Sequence, residues 1–133
     1  MDQAGHAIRL RGGWEWHNPA TPDEAPRRLA LPTTWPDDAG TAATLVRRFN
    51  RPPIDTDEAV ILRLEQVRGL VAARLNEAEV EAGSEIQGLL GPSNRLILEV
   101  DLAACVDGRP WGEVALVIAP ANPIGDGPVA ALS

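Results

Sequence analysis

Apolar and charged residues alternate most regularly in the second half of the chain. Leu96, Leu98, Val100 and Leu102 take every second place, with Arg95, Ile97, Glu99 and Asp101 between them. A period of two sends one set toward a core and the other toward water, so this stretch predicts a half-buried β-strand. Val60, Leu62 and Leu64, set against Ile61, Arg63 and Glu65, predict a second strand, and the run from Leu70 to Leu75 that ends at Asn76 predicts a third.

The flanking segments are shorter. Ile8 to Arg11 predicts a strand broken by Gly12-Gly13, and Trp14-Glu15-Trp16 puts both indoles on one side. Asn18 to Pro26 reads as an exposed loop, Arg27 to Leu31 as another strand, and Pro32 to Gly40 as a loop whose prolines exclude it from a central sheet position. Thr41 to Asn50 predicts a strand with Leu45 and Phe49 inward and Arg47 between them, ended by Pro52-Pro53. Within the link from Glu77 to Pro92, Glu79 to Glu81 and Glu85 to Gly88 each suit a short edge strand. A helix over Asn76 to Gln87, a segment rich in Glu and Ala, is the weaker alternative because of Gly83. Cys105 to Trp111 reads as a loop, Glu113 to Ala119 as a last strand, and Pro120 to Ser133 as a frayed tail. Short strands punctuated by Gly and Pro, with no helical period, point to an all-β antiparallel sandwich. The expected organisation is one domain over residues 1–120 and a flexible tail over 121–133.

Composition narrows the function classes. At 133 residues the chain suits one core that buries roughly two thirds of the unfolded surface. A net charge of −7 argues against a general binder of nucleic acid or anionic membrane, because phosphate contacts need a positive face. All twelve basic residues are Arg, Tyr is absent, and the aromatics are four Trp and one Phe. The one cysteine, Cys105, excludes an internal disulfide framework. No apolar run is long enough for a membrane span, and Met1 to His6 has no signal-peptide pattern, so the expectation is a cytoplasmic protein.

The order of motifs resembles the N-terminal sugar-binding domain of family 2 glycoside hydrolases, a galactose-binding-like jelly roll. Leu31-Pro32-Thr33-Thr34-Trp35 looks like that family's proline-x-x-tryptophan turn, and Leu45-Val46-Arg47-Arg48-Phe49 is similar to its tyrosine-arginine-arginine-x-phenylalanine strand, with Leu45 in the tyrosine place. Val60-x-Leu62-x-Leu64-x-x-Val67 and Ala73-Arg74-Leu75-Asn76 resemble the run into its asparagine-glycine turn. Asn94-x-Leu96-x-Leu98-x-Val100 and Trp111-Gly112-Glu113-Val114-x-Leu116 resemble its later strands. Glu77 and Glu81 stand where the family tends to have glycine, so a remodelled or lengthened turn is expected there. The resemblance implies a galactose-binding-like β-sandwich and a sugar-related role without a catalytic barrel.

Candidate chemistry is sparse. Trp14 and Trp111, beside glycines, are candidate sugar platforms, since an indole offers a broad apolar face and one N–H donor. Trp35, between prolines, suits a loop plug. Asn76 and Arg47 are candidate hydrogen-bond donors to a ligand. Arg47 on an inward face either pairs with an acid inside the sandwich, the reading favoured by the cost of burying a lone charge, or lines a groove. Glu77, Glu79, Glu81 and Glu85 suit a solvated acidic edge better than a paired-carboxylate hydrolase site. Asp37, Asp38 and Asp107 offer oxygens for Ca²⁺ but match no complete loop signature. His6, His17 and Cys105 lack neighbours that would make a metal or nucleophile site. The expectation is a binding module with no catalytic residues, no cofactor and no metal, taking a carbohydrate. The alternative is a protein-interaction or assembly domain, including a homo-oligomer, that has lost the sugar site.

Overall fold

A computed structural model describes residues 6–21, 23–36, 40–105 and 109–120. Among them the strands run β1 His6–Arg9, β2 Trp14–His17, β3 Arg27–Leu29, β4 Ala42–Asn50, β5 Glu58–Glu65, β6 Leu70–Leu75, β7 Ala78–Val80, β8 Ser93–Asp101 and β9 Glu113–Pro120. They form two antiparallel sheets: β1-β9-β5, and β3-β2-β4-β8-β6-β7. The result is the all-β antiparallel sandwich that the alternation predicts. The tail, residues 121–133, lies outside the described residues.

Register follows from which side chains each strand must bury. In β8, Leu96, Leu98 and Val100 pair with Arg47, Leu45 and Ala43 of β4, and every one of these except Arg47 is buried. In the smaller sheet, Val60, Leu62 and Leu64 of β5 sit opposite Ile118, Leu116 and Val114 of β9, all buried. The two inward sets meet in one core, and each fully buried Leu or Ile contributes about 1.5–3 kcal/mol by leaving water. A one-residue slip would turn each apolar set outward, so this pattern fixes the pairing.

Two local features differ from the sequence reading. Glu85 to Gly88 is not a strand: Glu85 makes a single bridge to Ile61, and the chain then winds into a 3-10 turn over Gln87–Leu89. Gly83 and Ile86 N–H groups donate to Leu62 and Val60 carbonyls at 2.7 Å, so the segment covers the β5 edge. The Asn76-Glu77 turn, in turn, is not lengthened. Leu75 pairs directly with Ala78, leaving two loop residues with φ of 52° and 76°. That is the double positive φ of a tight hairpin turn, and Glu77 adopts it without glycine's freedom.

A candidate ligand-binding groove

The tryptophans are built into the core. Trp14 and Trp111 are both 0% exposed. Each spends its only donor inside: Trp14 Nε1 donates to Leu10 O at 2.7 Å and Trp111 Nε1 to Arg68 O at 2.8 Å. Trp35 lies partly buried between Trp16 and Trp111, with ring centroids 5.2 and 5.5 Å away, and Arg27 covers the other indole, its guanidinium carbon 5.0 Å from the Trp16 ring centre. Neither Trp14 nor Trp111 presents a face on which a pyranose could stack.

Arg47 and Asn76 come together elsewhere. Antiparallel pairing sets the last residues of β4 beside the first of β8, with the β6–β7 turn alongside. Arg47 to Asn50, Ser93 to Arg95, Asn76 and Glu77 line an open groove of about 760 Å³. Its floor is organised by Asn94, 3% exposed and in phase with Leu96 and Leu98. Asn94 Nδ2 donates to Gly91 O and Phe49 O, while its Oδ1 accepts from Gly91 N at 2.8 Å and Asn76 Nδ2 at 2.9 Å. Asn76 Nδ2 also reaches Leu89 O, and its Oδ1 accepts from Arg95 N. Asn76 is therefore a strut that holds the turn against β8, its donors already committed. Asn50, Ser93 and Arg95 line the same groove with side chains that have no hydrogen-bond partner among the described residues.

The electrostatics are one-sided. Arg47 stands on the inner face between Trp14 and Leu96, and it has no acid partner among the described residues. Instead of pairing inside the sandwich it lines the groove: one guanidinium nitrogen donates to Arg48 O, and Nε is buried without an acceptor. Inward placement was legible from the strand phase, but the core around Arg47 is apolar and the sheet end is open, so the groove wins over an internal pair. Arg48 and Arg95 face each other directly across β4 and β8. Of these two, only Arg48 has a counter-ion among the described residues, Glu15 at 3.1 Å. That contact, followed by the hydrogen bond from His17, holds the Glu15 carboxyl below its ordinary range. Among the described residues, Glu77 is the one acid lining the groove.

A paired-carboxylate mechanism needs two acids about 5 to 10 Å apart around a cleft. Glu79, Glu81 and Glu85 are exposed and do not line this one. Cys105 is buried with Sγ 3.1 Å from Arg68 O, and His6 is exposed. Asp37, Asp38 and Asp107 lie outside the described residues. Among those described, no three His, Cys, Asp or Glu gather as a metal site would require, and no helix is long and apolar enough to cross a membrane. What the groove can do is bind, through cationic forks, an amide, a hydroxyl and the half-buried Phe49 ring.

Sequence reasoning missed Asn94, Asn50, Ser93 and Arg95 as groove residues. A signal existed for Asn94: a polar residue at an inward position of an otherwise apolar alternation.

No family model matches the sequence, and comparison with curated proteins finds no match. Solved structures do share the fold. An FMN-binding β-glucuronidase from Facaelibacterium prausnitzii L2-6 superposes with a TM-score of 0.65 at 20% identity, over 89% of this chain and 23% of that one. The β-D-glucuronidase of Dictyoglomus thermophilum gives 0.68 at 15% identity, over 90% and 29%. A β-glucuronidase of an uncultured Clostridium species gives 0.66 at 16%, over 90% and 30%. At these identities the likeness is one of fold, in agreement with the resemblance read from the motifs. The chain spans less than a third of the length of these proteins.

Proposed function

We propose that this domain is a non-catalytic carbohydrate-binding module that holds its ligand in the groove between the end of β4 and the start of β8. The observation that supports this most is the set of side chains there without hydrogen-bond partners among the described residues, Asn50, Ser93 and Arg95, beside the half-buried Phe49. Saccharides are recognised by such mixtures: hydroxyls take the amide, hydroxyl and guanidinium groups, and the ring's C–H face takes an apolar surface. Solved structures with the same fold include β-glucuronidases, and a sugar ligand is brought to this chain through that likeness as part of the proposal. A glycan array probed with the intact chain and with the Asn50→Ala/Ser93→Ala variant tests it. Binding by the parent and its loss in the variant is the expected result; a blank array for the parent removes the proposal.

A second reading is an assembly domain that uses the sandwich without a sugar site. The burial of Trp14 and Trp111 favours it, as does Val71, 68% exposed at the irregularity in β6. Sedimentation at several concentrations separates the two, because strict monomers with no captured partner would count against assembly.

A further inference from the structure

We infer that the groove is built for a saccharide that carries an oxyanion, a carboxylate or a sulfate, rather than for a neutral sugar; this rests on the carbohydrate reading above and deepens it. Arg47, Arg48 and Arg95 line the groove against Glu77, the single acid there among the described residues, on a chain whose net charge is −7. Like charges directly opposite in a sheet are unfavourable, yet Arg48 and Arg95 are register partners. Glu15 offsets Arg48 alone, and nothing among the described residues offsets Arg95. A guanidinium presents a planar fork that fits a carboxylate or sulfate edge with two parallel hydrogen bonds.

Local charge and overall charge select different ligands. At physiological salt the screening length is about 8 Å, so a small anion inside the groove responds to the three arginines and not to the whole molecule. A long polyanion would run onto the acidic remainder, which excludes nucleic acid as the occupant. The oxyanion alone would leave Asn50, Ser93 and Phe49 without a role, whereas the hydroxyls and ring of a sugar engage all of them.

Isothermal titration of the full chain with galacturonate, galactose 6-sulfate, galactose and inorganic sulfate tests the inference and tells the two oxyanion sources apart. The expected result is that at least one acidic sugar binds about tenfold or more tightly than both galactose and inorganic sulfate. Arg95→Gln should remove that advantage while leaving the circular dichroism unchanged and the thermal midpoint no lower than the parent's, since Arg95 is exposed and faces Arg48. Arg47→Gln provides a second variant with the same expected loss. Galactose binding as well as the acidic sugars would overturn the anion preference and leave the carbohydrate reading standing. Inorganic sulfate binding as well as the acidic sugars would overturn the saccharide part, and an advantage that survives Arg95→Gln would overturn the site. Silence from every probe would sink the inference and the carbohydrate reading together.

Discussion

The tryptophan cluster, which joins Trp16 of β2 to Trp35 and Trp111 of the loops, and the groove at the end of β4 and β8 make opposite use of their side chains. Trp16 and Trp35 pack edge to face, Trp35 and Trp111 at a tilt, and together they close the core. In the groove, the ends of two strands leave the Arg95, Asn50 and Ser93 side chains without hydrogen-bond partners among the described residues. The aromatic residues that most resemble sugar platforms are thus the ones that hold the sandwich together. The surface able to hold a ligand is built from residues that look unremarkable in the sequence. Aromatic area is too valuable in a small core to leave outside unless a ligand replaces it.

Breaking the cluster should have the largest effect. Trp111→Ala removes a fully buried indole and its bond to Arg68 O, and should cost about 3–5 kcal/mol in urea unfolding. A loss below about 1 kcal/mol would mean that the cluster is not core. Asn94→Ala comes next. It orphans the Gly91 N–H and an Asn76 donor beneath the groove, and should cost about 2–3 kcal/mol while weakening any ligand.

The turn beside the groove gives an effect of opposite sign. Glu77→Gly should stabilise the fold by about 0.5–1 kcal/mol, because glycine takes a φ of 76° without strain and repays part of that through a more flexible unfolded chain. If the variant were less stable than the parent, the left-handed turn would be the wrong description of this hairpin.

The smallest effect is that of Glu15. Its carboxyl is held below its ordinary range by Arg48 first and His17 second. A depressed carboxylate stabilises the fold above its unfolded-state value, and that contribution disappears as pH falls through the folded-state value. The ion pair is exposed and screened, so Glu15→Gln should cost a few tenths of a kcal/mol at neutral pH. In acid, below the carboxylate range, variant and parent should unfold alike. A difference that persists or grows in acid would contradict the assignment.

Much of the fold was legible in the sequence because sheet phase is a local property. The alternation in Leu96, Leu98 and Val100 states which side is inward, and β8 obeys it along its length. The Glu85 to Gly88 segment was less legible: Ile86 is buried as an edge strand would bury it, but Gln87 to Leu89 turn instead of extending. At the Asn76-Glu77 turn, Glu carries no preference for positive φ, so the tight turn is imposed by the pairing of Leu75 with Ala78. The site was harder still. Strand phase correctly turned Arg47 inward, yet whether it meets an acid or an opening depends on where β4, β8 and the β6–β7 turn end relative to one another. That is a tertiary property with no local signature. The burial of Trp14 and Trp111 is similar, since a neighbouring glycine suggests a loop without saying which way the indole swings.

Amide and indole resonances followed by NMR during titration of the intact chain with an acidic sugar test the central claim most directly. The account predicts concentration-dependent shifts at Asn50, Ser93 and Arg95, with the Trp14 and Trp111 indole signals unmoved. Shifts centred on the indoles, with a silent groove, would contradict it.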